Sequence, residues 1–285
     1  MTLRRIAIAL AACAAAAAGG LAGPATARAD TPASYVALGD SYTSGPLILP
    51  ISPSAPLDCL QSAENYPHLT AAALGLSLSD VSCAGADTSN MTTAQFADQP
   101  PQFDALTAST RVVTLGIGGN DNSTFLTALA GCSAIDGIAG AGSGDLCALA
   151  YGNKFADQIA ADETNVAGAL QHIHTLSPAA RVFVVGYPDI LPQSGSCFSQ
   201  MPITTADVAY LNGVELDLNA MLRTAAGQNG ATYVDTYGAS VGHDSCQGES
   251  TRWVEPLLPS TDAVSAHPNA AGEAADARAV EAAIG

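Results

Sequence analysis

Residues 35–42 read YVALGDSY, and the rest of the chain is organised around this stretch. Its apolar start, Tyr35–Leu38, predicts a buried strand, and the Gly39-Asp40 pair is typical of the turn that leaves a strand. The strand would deliver the hydroxyl of Ser41 at its carboxyl end. In open parallel α/β sheets ligands bind at that edge, because the loops converge there. Gly-Asp-Ser alone is also an ordinary strand-exit turn, so other features of the chain must decide its function.

Strand-like and helix-like segments alternate along the chain. The predicted strands are Tyr35–Leu38, Leu78–Ser82, Arg111–Ile117, Arg181–Val185 and Thr232–Asp235. Apolar residues recur at helical spacing in Lys154–Leu176 and after Thr204, and Ala270–Ile284 is also read as a helix. The Gly- and Ala-rich stretch Gly137–Gly144 reads as a loop. The alternation predicts a parallel sheet with right-handed crossovers, in a single three-layer α/β/α domain.

The N-terminus has the layout of a secretory signal peptide. Arg4 and Arg5 precede an apolar run, Ile6–Leu21, and small residues before Asp30 suit cleavage. We expect residues 1–29 to be removed and residues 30–285 to form the secreted domain. A membrane anchor is a poorer reading, because glycines and a proline interrupt the run. A lipoprotein box ending at Cys13 is disfavoured, because the apolar run continues beyond it.

Charge and cysteine content agree with export. The whole chain carries a net charge of −17; without Arg4, Arg5 and Arg28, six of its nine basic residues remain against 26 acidic ones, a net charge of −20. Such a surface repels phosphate backbones, so no nucleic-acid partner is expected. Besides Cys13 there are six cysteines, which suggests three disulfides, although six cysteines allow 15 pairings. No metal site is expected, because Cys-x-x-Cys pairs and clustered histidines are absent from the sequence.

Three later stretches change the meaning of Ser41. They are Cys83–Ala86, Gly118–Asp121 and His267–Asn269, and with Ser41 they present Ser, Gly, Asn and His in that order. On these four blocks the chain resembles the SGNH, or GDSL, hydrolases, and most of all their secreted actinobacterial lipases and esterases. The resemblance implies a flavodoxin-like three-layer sandwich with a five-stranded parallel sheet, and ester hydrolysis without cofactor or metal. It also implies the pairings Cys59–Cys83, Cys132–Cys147 and Cys197–Cys246.

A serine hydroxyl becomes a good nucleophile only when a base takes its proton. His267 is the favoured base, because it lies in a turn before the last helix and matches the base of the family; His243 is the second candidate. The family usually carries an Asp three residues before this histidine, where Val264 stands here. Asp262 lies in the wrong register. We therefore expect a Ser41–His267 dyad whose imidazole N–H is held by a main-chain carbonyl within Val264–Ser265, with a contribution from Asp262 as the alternative.

Attack on an ester creates an oxyanion that needs waiting hydrogen-bond donors. The backbone N–H groups of Ser41 and Gly85 and the side-chain amide of Asn120 suit that task. The alternative for Asn120 is a simple Asn/Gly turn.

Two competing motifs are weaker. Gly238–Gly242 matches a Gly-x-Ser-x-Gly elbow, but too little chain follows for the remaining parts of that fold. Gly116-Ile117-Gly118 begins like a dinucleotide fingerprint, yet Asp121 occupies the place of its last glycine, so no nucleotide cofactor is expected.

The sequence therefore predicts a secreted carboxylic-ester hydrolase, and we expect a monomer. The apolar stretch Leu47–Ile51 could receive an acyl chain or touch a lipid surface transiently, which favours medium or long acyl esters; it could equally pack beneath the Cys59–Cys83 loop. A phospholipase A1, a carbohydrate or small-molecule esterase, and an exported binding protein on the same scaffold are the alternatives.

Overall fold

A computed structural model describes residues 32–285. The predicted signal peptide, residues 1–29, lies outside the described residues. Five strands form one parallel sheet: β1 Ser34–Gly39, β2 Ser77–Asp80, β3 Val112–Gly116, β4 Arg181–Val185 and β5 Thr232–Val234. Their order is β2-β1-β3-β4-β5, and neighbouring residues such as Val36 and Val113 lie opposite each other. The predicted five-stranded parallel α/β sheet is confirmed.

Helices cover both faces of the sheet. The helices are α1 Ser41–Ser44, α2 Tyr66–Leu74, α3 Thr124–Leu126, α4 Cys132–Ala139, α5 Leu146–Tyr151, α6 Lys154–Leu176, α7 Thr205–Gln228, α8 Tyr237–Ser240 and α9 Ala270–Ile284. Short 3-10 segments at Leu57–Cys59, Thr88–Met91, Gln102–Ala105 and Asp121–Ser123 and a π segment at Thr127–Gly131 join them. None of the helices in this part of the chain is long and apolar enough to cross a membrane.

The side chains along each central strand alternate between two hydrophobic cores, one on each face of the sheet. In β1, Val36 and Leu38 point into the core beneath α6 and α7, whereas Tyr35 and Ala37 point into the core beneath α2 and α9. Because side chains alternate along a strand, a strand covered on both faces must be apolar throughout, as residues 35–38 are. This packing fixes β1 rigidly below the residues that follow it.

The order of the strands creates a crevice at their carboxyl ends. From β1 the chain moves outward to β2 and then returns to β3 on the opposite side of β1, so the crossovers after β1 and β3 lie on opposite faces. In doubly wound sheets ligands bind at such a switch point. Ser41 follows β1 and Asn120 follows β3, so both lie at this crevice.

Most predicted element bounds lie within one residue of the observed ones, and two segments differ by more. Strand β2 ends at Asp80 rather than Ser82, because the Asp80 carboxylate accepts hydrogen bonds from the amide and hydroxyl of Ser82 and turns the chain. The loop predicted for Gly137–Gly144 is partly wrong: α4 continues to Ala139. The buried Asp136 carboxylate accepts the Thr204 N–H at 2.9 Å, and this tertiary contact favours helix in a Gly- and Ala-rich stretch.

Three disulfides close loops on this framework. They join Cys59 with Cys83, Cys132 with Cys147 and Cys197 with Cys246, which is the pairing that the family resemblance implies.

Candidate active site

Ser41 is the first residue of α1, directly after the turn that leaves β1. Asp40 caps this helix: its Oδ1 accepts the Tyr42 N–H at 2.9 Å. The Asp40 N–H in turn donates to the Gly116 carbonyl at 2.9 Å, which ties the turn to the end of β3. The Ser41 side chain is thus held at the carboxyl edge of the sheet by backbone geometry on both sides.

The imidazole of His267 lies against Ser41. Its Nε2 is 2.8 Å from the Ser41 Oγ, and its Nδ1 is 2.8 Å from the Ser265 carbonyl oxygen. Because a carbonyl can only accept, Nδ1 carries the proton and Nε2 is left to accept from the serine hydroxyl. The Tyr42 ring stacks on the imidazole at 4.7 Å. Burial lowers the pKa of His267 below its usual 6.5, against the smaller raising effect of the Ser265 carbonyl, so the ring is neutral at neutral pH.

Main-chain groups, rather than a carboxylate, orient this ring. The Ser265 carbonyl takes the ring N–H, and the Val264 carbonyl accepts the His267 amide N–H at 3.2 Å. The side chain of Asp262 is exposed, and no carboxylate of residues 32–285 is hydrogen-bonded to the His267 ring. The imidazole therefore bridges the Ser41 hydroxyl and a backbone acceptor.

A buried ion pair supports the loop that carries His267. The guanidinium of Arg252 donates to the Glu255 carboxylate at 3.0 and 2.8 Å. The Glu255 backbone then pairs with both sides of the loop: its N–H donates to the His267 carbonyl, and its carbonyl accepts the Ala266 N–H, each at 2.9 Å. The Tyr42 hydroxyl donates to the Ala266 carbonyl at 2.5 Å. Sequence reasoning missed Arg252 and Glu255, since nothing in their spacing links them to a histidine that follows in a separate turn.

The segments that carry the predicted oxyanion donors adjoin one another: the Cys83 N–H, two residues before Gly85, donates to the Gly39 carbonyl, two residues before Ser41, at 3.1 Å. Gly85 adopts a φ of +80°, a conformation that favours glycine. Among the hydrogen bonds of residues 32–285, the amide N–H groups of Ser41 and Gly85 have no protein acceptor. One N–H of the Asn120 side-chain amide donates to the Ala86 carbonyl at 2.9 Å, which leaves its second N–H for another acceptor. Within residues 32–285, Ser41, Gly85 and Asn120 thus each keep one N–H without a protein acceptor.

The model of the GDSL-like lipase/acylhydrolase family matches residues 37–275. The chain belongs to this family. The resemblance carried by the four sequence blocks is thereby confirmed, and this lipase/acylhydrolase family member is a serine ester hydrolase.

Similar proteins from Streptomyces agree with this assignment. The chain is 45% identical over 252 residues to Lipase 2 of Streptomyces coelicolor, an alignment that covers 87% of this chain and 85% of that one. It superposes on an extracellular lipase from Streptomyces rimosus with a TM-score of 0.72 at 28% identity, covering 88% of this chain and 99% of that chain. For a phospholipase A1 from Streptomyces albidoflavus the TM-score is 0.69 at 27% identity, with the same coverage.

The other histidines of this acylhydrolase are engaged elsewhere. His243, the second candidate for the base, stacks on Trp253 at 3.8 Å and has its Nδ1 2.6 Å from the Thr251 carbonyl oxygen. His172 stacks on Phe103. The serine of the Gly238–Gly242 motif, Ser240, is buried; its hydroxyl donates to the Tyr237 carbonyl and accepts the Asp189 N–H, so it has no base. The elbow motif is a chance match.

The stretch Leu47–Ile51 divides its apolar residues between core and surface. Ile48 is buried, whereas Leu47 and Leu49 are 50% and 75% exposed. The loop is joined to the histidine loop, because the Val264 N–H donates to the Pro46 carbonyl. Exposed leucines therefore lie in the segment that follows Ser41 and contacts the histidine loop.

Within residues 32–285, no three His, Cys, Asp or Glu side chains cluster in a way that could hold a metal ion.

Proposed function

We propose that this enzyme is exported and hydrolyses lipid esters through an acyl-enzyme on Ser41, with His267 as the general base and acid. The observation that carries the proposal is the 2.8 Å separation of the His267 Nε2 from the Ser41 Oγ. That distance is the hydrogen-bond length over which a proton can pass from the hydroxyl to the ring.

The reaction follows from these groups in order. Ser41 Oγ attacks the ester carbonyl while its proton moves to Nε2 of His267, and the carbonyl oxygen becomes an oxyanion. The N–H groups of Ser41, Gly85 and Asn120 donate to that oxygen. When the tetrahedral intermediate collapses, the C–O bond to the alcohol breaks and Nε2 returns the proton to the leaving alcohol. Water then repeats the cycle on the acyl-enzyme and releases the acid.

The imidazolium formed in each half of the cycle is stabilised without a full negative charge. The Ser265 carbonyl dipole fixes the tautomer and favours the protonated ring, in the role that a carboxylate takes in a triad. The low pKa of the free imidazole keeps Nε2 unprotonated before attack.

Active-site substitution tests the chemistry. We expect Ser41→Ala to lower kcat on p-nitrophenyl octanoate by about 10⁴-fold or more, and Asn120→Ala by about 10²–10³ with little change in KM. A serine-directed organophosphate should label Ser41 stoichiometrically in the wild type, and mass spectrometry of the peptide would locate it. Full activity in Ser41→Ala would refute the role of Ser41 as nucleophile. The absence of both labelling and ester hydrolysis in the folded wild type would favour the exported binding protein.

The acyl group is proposed to be medium or long. The support is the pair of exposed leucines, Leu47 and Leu49, in the segment after Ser41, together with the lipase names of the relatives. A series of p-nitrophenyl esters from acetyl to palmitoyl measures this directly; acetyl esters turned over much faster than octanoyl ones would favour a carbohydrate or small-molecule esterase.

Phospholipase A1 activity is the second candidate, because this chain superposes on 99% of the structure of a phospholipase A1. Phosphatidylcholine with different acyl groups at its two positions distinguishes the candidates, since a phospholipase A1 releases the acyl chain of the first position. Tricaprylin hydrolysis without phospholipid hydrolysis would favour the lipase.

Export and assembly are proposed from the sequence. We expect the protein recovered from the medium to begin at Asp30, which N-terminal sequencing of the secreted form would test. Light scattering of that form should give the mass of a monomer.

A further inference from the structure

Tyr187 lies between the nucleophile turn and the loop that carries Asn120. It follows β4 by two residues and is 1% exposed. Its hydroxyl donates to the Asp40 Oδ2 at 2.5 Å and accepts the Gly119 N–H at 2.9 Å. Asp40 precedes Ser41, and Gly119 precedes Asn120. One buried hydroxyl therefore bridges the residues directly before the nucleophile and before a proposed oxyanion donor.

The Gly119 peptide is held from both sides. Tyr187 takes its N–H, and the Phe125 N–H donates to its carbonyl at 2.9 Å. A Cβ at Gly119 would lie 3.0 Å from the Tyr187 hydroxyl oxygen, so the ring packs directly on this glycine. The position of Asn120 therefore depends on where Tyr187 sits.

Tyr187 is itself fixed by a buried amide. The Asn219 side chain of α7 accepts the Tyr187 N–H at 2.9 Å and donates to the Tyr187 carbonyl at 3.0 Å. The Tyr187 ring meets Tyr42 edge to face at 5.0 Å. Helix α7 thus anchors the backbone of Tyr187 through the Asn219 amide.

We infer that Tyr187 is a positioning residue for ester hydrolysis, whose hydroxyl sets the distance between Ser41 and the Asn120 donor by joining Asp40 to Gly119. The inference rests on the proposed function. Only a hydroxyl suits this place, because it must donate to a carboxylate and accept from an N–H at once. Burial raises the pKa of Tyr187 well above its usual value, so the hydroxyl keeps the proton that it donates.

Tyr187→Phe keeps the ring and removes the bridge. A donor displaced by about 1 Å costs about 10²-fold, and the loss of one donor about 10²–10³, so we expect kcat to fall about 10- to 100-fold with KM within twofold. The inhibition constant of an alkyl boronic acid, which bonds to the serine oxygen and presents an oxygen to the donors, should rise by a similar factor. Assays at pH 8 keep Asp40 ionised, since burial raises its pKa to about 7.

Tyr35→Phe is the matched control. Tyr35 is fully buried, and its hydroxyl is hydrogen-bonded to the Thr114 hydroxyl at 2.8 Å in the core on the opposite face of the sheet. We expect the Tyr35→Phe variant to lose a buried hydroxyl and some stability but to keep the kcat of the wild type. If Tyr187→Phe and Tyr35→Phe change kcat equally, or if Tyr187→Phe raises KM rather than lowering kcat, the inference is wrong.

A second variant keeps the test decisive if Tyr187→Phe folds poorly. In Asp40→Asn the side-chain amide still accepts from Tyr42 but donates toward Tyr187, which leaves the Tyr187 hydroxyl proton without its acceptor. We expect the same loss of kcat, and a loss in the double variant well below the product of the single losses. An unchanged kcat in Asp40→Asn would overturn the inference. Activity that survives Ser41→Ala would instead refute the proposed function, so the two failures are distinguishable.

Discussion

Removing the Cys59–Cys83 disulfide should lower stability and turnover together, whereas removing Cys132–Cys147 should lower stability alone. The four cysteines are fully buried, so Ala substitutions in both pairs leave comparable packing defects. Cys83 lies two residues before Gly85, a proposed oxyanion donor, and Cys132 and Cys147 lie at α4 and α5. The two double variants therefore separate a general loss of stability from a local effect on the donor loop.

The expected stability losses follow from the closed loops. In the chain-entropy model, separations of 24 and 15 residues correspond to about 3.5 and about 3 kcal/mol at 25 °C. Guanidinium unfolding should give losses that differ by less than about 1 kcal/mol between the two variants. This near equality makes Cys132→Ala/Cys147→Ala a fair control.

The expected loss of turnover is bounded by the bonds that remain. Without the Cys59–Cys83 disulfide, the Ala84 N–H still donates to the Cys59 carbonyl and the Ala86 N–H to the Cys83 carbonyl, each at 3.1 Å. Gly85 would thus be displaced rather than lost as a donor, so we expect kcat to fall about 10-fold, less than the 10²–10³ for a missing donor. The assay is kcat on p-nitrophenyl octanoate well below both melting temperatures. Equal kcat losses in the two variants, or none in either, would refute the reasoning.

Three further predictions concern charge. His267 should titrate below pH 6.5, because burial lowers its pKa; the imidazole NMR signals that disappear in His267→Gln report it, and a midpoint above 6.5 would contradict the prediction. Asp262→Asn should change kcat by less than twofold, because the Ser265 carbonyl already holds the ring, whereas a loss of several hundred-fold would assign the carboxylate a role. Burial raises the pKa of Glu273 well above 4.5, so the wild type loses stability as the pH rises through that pKa, and Glu273→Gln should leave the melting temperature unchanged near pH 4.5 but raise it at pH 8. A difference in melting temperature between variant and wild type that is the same at both pH values would contradict this.

The sequence could predict those parts of the fold and site that depend on residues close together in the chain. Strand β4 and helix α6 were predicted with their observed ends, because apolar runs and helical spacing are properties of neighbouring residues. The Ser, Gly, Asn and His blocks were identified for the same reason: each is a short motif. Ser41 and His267 are 226 residues apart, so the distance between their side chains could be obtained only from the three-dimensional structure.

The supporting residues could not be predicted, because their partners are remote. Tyr187 acts on Asp40 across 147 residues, and nothing in the sequence around Tyr187 distinguishes it from a core aromatic. Glu255 holds the histidine loop mainly through its backbone, which any residue possesses. The helix that replaced part of the Gly137–Gly144 loop depends on a carboxylate contact with Thr204, so local propensity indicated the wrong state.

The carbonyl of Ser265 makes the histidine's partner independent of amino-acid identity. Every residue type supplies the same carbonyl oxygen, so no amino-acid substitution at position 265 removes it, whereas one substitution removes the carboxylate of a triad. The position of this oxygen depends instead on the backbone conformation of the loop, in which the next residue, Ala266, has a φ of +60°. Selection would then act on the backbone conformation at this position rather than on side-chain chemistry.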